Sequence, residues 1–159
     1  MAACAPEYPT RVKRFDLTID QEQPPDYAAG DQVGDLAHWD IVTEAGTKAG
    51  VTFCVVGHLA STDTPALDIW FFERETTPSA DNSPAGFTGN VPRDHFLGHV
   101  EVTAGDWSTS ANEAVFTRIT TLPAHWFNEG EIGRVYGAVI ARSVYTPVDL
   151  TIGIAVLVD

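Results

Sequence analysis

Apolar and polar residues alternate with a two-residue period along most of this chain, the spacing of β-strands with one face buried. The clearest case is Ala66 to Glu73, where Leu67, Ile69 and Phe71 alternate with Asp68, Trp70 and Phe72. Large side chains stand on both faces, so the segment is predicted to run through the middle of a sheet that needs cover on each side. Asp68 interrupts the apolar set and is expected at the edge of the core or beside a donor. Arg11 to Asp20 places Phe15, Leu17 and Ile19 on one face and predicts a half-buried first strand, ended by Pro24 and Pro25.

Further strands are expected at Ala37 to Thr43, Val51 to Leu59, Gly98 to Thr103, Glu113 to Thr120, Arg134 to Arg142 and Val148 to Val158. The β-branched run Val51 to Leu59 is predicted to pair near the central strand. Asp26 to Gly34 reads as a loop in which Gly30 and Gly34 permit unusual backbone angles. Thr76 to Pro92, with three prolines, two glycines and two asparagines, reads as a long exposed loop. Arg93 to Leu97 is predicted as a single helical turn, and His58, inside an apolar run, as a satisfied core residue. No segment of ten residues carries a 3.6-residue apolar stripe. The expected fold is therefore all-β, a two-sheet antiparallel sandwich of jelly-roll type with about eight strands. Residues 1–10, with two prolines and little periodicity, read as a flexible N-terminal arm, and residues 11–159 as one domain.

The chain's 159 residues, 44% of them hydrophobic, suit one domain with a sizeable core. Nine Lys and Arg stand against 22 Asp and Glu, a formal charge of −13 that repels phosphate and anionic lipid, so neither nucleic acid nor membrane is an expected partner. The charge is uneven. Arg11, Lys13 and Arg14 hold a third of the cations, whereas Asp16 to Glu44 has eight acidic residues and no Lys or Arg. Cys4, near the chain start, and Cys54, in an apolar run, are expected to stay unpaired. No apolar run reaches a membrane-spanning length. The protein is expected to be made soluble in a reducing cytoplasm.

Candidate chemistry is sparse. His95 and His99, with Asp94 and Glu101, form the one cluster of ligand-like spacing, but Gly98 and the strand beginning there oppose the helix that this spacing needs. Asp31 and Asp35 lack the pattern of a calcium loop or a glycosidase pair and read as turn residues. No nucleophile elbow, phosphate-binding glycine loop or Cys-His context is present, so no catalytic group, metal or cofactor is expected. Trp39, Trp70, Trp107 and Trp126, with Tyr136 and Tyr145, serve either a core and subunit interface or an aromatic platform for sugars. Trp126 and Phe127, adjacent in Ala124-His-Trp-Phe-Asn, cannot both enter one core and are predicted at a subunit interface.

Four motifs stand in order: Tyr27-Ala-Ala-Gly-Asp-Gln-Val-Gly, Leu67-Asp-Ile-Trp-Phe-Phe-Glu, Val135-Tyr-Gly-Ala-Val-Ile-Ala-Arg-Ser and Tyr145-Thr-Pro-Val-Asp-Leu-Thr-Ile-Gly-Ile. This order resembles the small capsid decoration, or cement, proteins of tailed bacteriophages over Tyr27 to Asp159, with the section His95 to Asn128 departing in detail. The resemblance implies a non-enzymatic β-sandwich that forms homotrimers on the outer surface of a virion and binds the major capsid protein. The resemblance supplies no docking residues. From the charge distribution, Arg11, Lys13 and Arg14 are the expected capsid-docking cations, pairing with carboxylates of the lattice or of an adjacent subunit; otherwise they belong to a solvated tail whose charges offset nearby Asp16 and Asp20. The alternative is a carbohydrate-binding β-sandwich module. A small hydrolase or metal-dependent enzyme ranks behind both.

Overall fold

A computed structural model of the chain describes residues 11–21, 26–41, 49–86, 96–119, 133–144 and 146–158. Nine strands are present among them: β1 (Arg11–Ile19), β2 (Gln32–Ile41), β3 (Ala49–Leu59), β4 (Leu67–Phe72), β5 (Phe96–Val102), β6 (Trp107–Thr109), β7 (Ala114–Ile119), β8 (Gly133–Ala141) and β9 (Leu150–Val158). They form a five-stranded sheet, in the order β1-β9-β3-β7-β6, and a four-stranded sheet, β2-β8-β4-β5.

The pairing is nested. β1 pairs with β9, β2 with β8, β3 with β7 and β4 with β5, all antiparallel, so the first half of the chain is matched from outside inward by the second. Wrapped into two sheets, this long folded-back ribbon is the jelly roll, with β6 added at one edge. β4 lies between β8 and β5, the central position expected of it. The run at Val51 to Leu59, expected beside β4, instead lies in the other sheet between β9 and β7. The reason is the wrapping: each of the first four strands crosses to the opposite sheet, so β3 and β4 cannot be neighbours.

The core fills the space between the sheets. Val33, Ala37, Trp39 and Ile41 from β2, Leu67, Ile69 and Phe71 from β4, and Val135, Val139 and Ala141 from β8 face Ile19, Val55, Leu59, Phe116, Leu150, Ile152 and Ile154 from the five-stranded sheet. Trp39 crosses the sandwich and donates its indole N–H to the Ile152 carbonyl at 3.0 Å. Trp107 donates to the Pro65 carbonyl at 2.8 Å and meets Phe116 edge to face at 4.8 Å. Both of these indoles thus have their polar atom satisfied.

Several local expectations are corrected. β2 begins at Gln32, inside the predicted loop, because a register irregularity between Val33 and Ala37 and the positive φ of Gly34 (68°) carry the chain past its break in alternation. β6 was not foreseen: three residues are too few for a periodic signal. Phe96 and Leu97 are strand rather than helical turn, and the described single turn is the 3-10 segment Ala104–Asp106. The described part of the long loop is docked rather than free. Gln32 N–H donates to the Ser83 carbonyl, Asn82 N–H to the Gln32 carbonyl and Ala85 N–H to the Gly30 carbonyl. Asp81 completes the attachment by accepting from Tyr27 Oη at 2.8 Å and Gly34 N–H at 2.6 Å.

Candidate interaction face

The second face of β4, carrying Asp68, Trp70 and Phe72, lies on the outside of the four-stranded sheet. Antiparallel register places Phe72 beside Phe96 of β5 and Tyr136 of β8, and Tyr136 beside His38 of β2. One row of rings, His38, Tyr136, Phe72 and Phe96, therefore crosses all four strands, spanning about 14 Å at the usual ~4.8 Å strand spacing. A parallel row runs from Ala138 through Trp70 to His99. Ring centroids are 5.3 Å apart for Trp70 and Phe96, 5.9 Å for Trp70 and His99, 5.9 Å for Phe72 and Phe96, and 6.2 Å for His38 and Tyr136. These are distances at which aromatic pairs attract beyond the area they bury. Phe72 is fully buried at the centre, Trp70 and Tyr136 are half-buried, and Phe96 and His38 are exposed.

Charges on this face come in opposite pairs. Arg134 of β8 donates to Asp40 of β2 at 2.6 Å, and this bond raises the guanidinium's affinity for its proton. Arg142, just past β8, pairs with Asp68, whose side chain is only 4% exposed. His99 lies 3.5 Å from Glu101. A shallow cleft of about 390 Å³, lined by His99, Val100, Glu101, Arg118 and Ile119, borders the face at the β5 edge. There Arg118 Nε donates to the Glu101 carbonyl, its Nη2 pairs with Asp106 at 3.0 Å, and Ile119 is 87% exposed. Asp106 is held below the usual aspartate range, first by the Thr103 N–H, then by the Thr103 hydroxyl and the Arg118 charge.

The predicted docking cations lie on β1, the strand expected to begin at Arg11, which is paired with β9 over its whole length. The two-residue alternation puts Lys13 and Arg14 on opposite faces of that strand. Lys13 shares the face of the core-packed Phe15 and Leu17, whereas Arg14 is exposed on the outer surface. There Arg14 lies over Gly153 and bonds Asp16 at 2.5 Å. Trp126, Phe127 and residues 1–10 lie outside the described residues, as do Asp94, His95 and Tyr145.

Among the described residues no group of three His, Cys, Asp or Glu side chains is arranged to hold a metal ion. Asp31 acts as a turn residue, accepting from the Ala28 N–H at 2.8 Å. His58 is not in the core: it is half-buried on the outside of the five-stranded sheet and meets Glu113 at 2.7 Å. Its inward-facing neighbours in the apolar run are Gly57 and Leu59, and alternation turns His58 outward. Glu113 also accepts from Ser110 at 3.4 Å, so the carboxylate sits between serine and imidazole. In a nucleophilic triad the imidazole takes that middle place, and this trio has the wrong connectivity for it.

Sequence reasoning identified the two-faced strand β4 but missed Phe96, His38 and His99 as its ring neighbours. The signal lies in strand register, which only the pairing of β2, β8, β4 and β5 reveals. What this face presents to solvent is the exposed rings of Phe96, His38 and His99 beside half-buried Trp70 and Tyr136, while Phe72, Ala138 and Ile140 on it are buried. Comparison with protein-family models, curated proteins and solved structures found no match to this chain.

Proposed function

We propose that the protein is a non-enzymatic structural component of a phage virion that decorates and stabilises the capsid by binding the outer surface of the major capsid protein lattice as a homotrimer. The observation that carries the reading is the ring-lined outer face of the four-stranded sheet, on which Asp40, Asp68 and Glu101 each have a basic or histidine partner. A chain of net charge −13 repels another acidic surface except where its own charges are compensated, and this face is such a place. The ordered motifs of the sequence and the jelly-roll strand order support the same reading. Of the cations expected to dock, Arg14 is exposed on the outer face of β1 and supplies further attachment by exchanging its Asp16 partner for a lattice carboxylate. Each exposed pair contributes only about 0–1 kcal/mol, so attachment depends on repetition over many copies.

The test is binding of purified protein to heads lacking it, followed by sedimentation of the heads. Wild type is expected to co-sediment stoichiometrically, and Phe96→Asp to bind at least tenfold more weakly while keeping its fold. No co-sedimentation of the wild type would overturn the proposal, and equal binding by Phe96→Asp would remove the ring face from it. The same row of rings is what favours a carbohydrate-binding module as the second reading. Against it, Trp39 and Trp107 are buried and bonded inside the core instead of lining a platform. Glycan-array binding that is lost in Phe96→Asp, without binding to heads, would select that module.

A further inference from the structure

We draw no further inference here: the strongest candidate, the cleft at the β5 side of the four-stranded sheet toward Arg118 and Ile119, borders the face already described, and nothing in the structure shows what covers it.

Discussion

Asp68, a buried carboxylate on the outer face of β4, is held by Arg142, which stands just beyond the end of β8 in the same sheet. The Ala66 N–H donates to the neighbouring Ser143 hydroxyl at 2.9 Å, and Arg142 N–H to the Ala66 carbonyl at 2.7 Å, so backbone and side chain fix the pair together. Arg142→Ala strands a carboxylate with little access to water and is expected to cost about 2–3 kcal/mol, less than a fully buried pair because the arginine is 55% exposed. Asp68→Asn should cost less. Urea midpoints of the two variants check this, and equal, small losses would show that the pair contributes nothing.

Two glycines make room for core rings. A Cβ at Gly57 would overlap the Phe116 ring, and one at Gly137 would come within 2.6 Å of Trp39 Cζ3. Gly57→Ala and Gly137→Ala are each expected to lose roughly 1–3 kcal/mol, the usual cost of overpacking. Thermal unfolding of Gly57→Ala alone and combined with Phe116→Leu tests the cause. The double variant should be more stable than the two single losses summed, since Leu vacates the space that the new methyl needs.

Glu113 is held below the usual glutamate range, first by its hydrogen bond from His58 and then by the His58 charge and Ser110. A carboxyl whose pKa is depressed on folding binds protons more readily when unfolded. Its contribution is therefore present above the unfolded value and is lost as pH falls through the folded one. Asp106, lowered by Thr103, has the same sign. The stability gap between wild type and Glu113→Gln is expected to be small near pH 6 and to close below about pH 4. Chemical denaturation across that range measures it, and a gap that widened in acid would contradict the assignment.

Tyr27 is fully buried and its hydroxyl donates a hydrogen bond to Asp81, which also accepts one from the Gly34 N–H. Tyr27→Phe removes one bond to a charged acceptor and is expected to cost about 1.5–3 kcal/mol. Its effect should concentrate on the segment around Asp81. Hydrogen exchange at Asn82 and Ala85, whose N–H groups bond Gln32 and Gly30, should accelerate more than exchange in β4. Uniform acceleration across all strands would show that the network serves the whole core instead.

Phe15, Leu17 and Ile19 in β1, Leu67, Ile69 and Phe71 in β4, and the alternation ending in β9 made the strands and the all-β class legible, because a two-residue period follows directly from strand geometry. Asp68's need for a nearby donor was also readable, since a carboxylate amid apolar neighbours must be paired. That the donor is Arg142, 74 residues away, was not. Short or irregular pieces escaped as well: β6 is only three residues long, and β2 starts beyond a break in alternation. Alternation along one strand reports which side chains share a face, and it did so for Trp70 and Phe72. It carries no information about which strand lies alongside, so the row from His38 to Phe96, the placing of β3 away from β4 and the outward turn of His58 toward Glu113 were decided by long-range pairing of the folded ribbon.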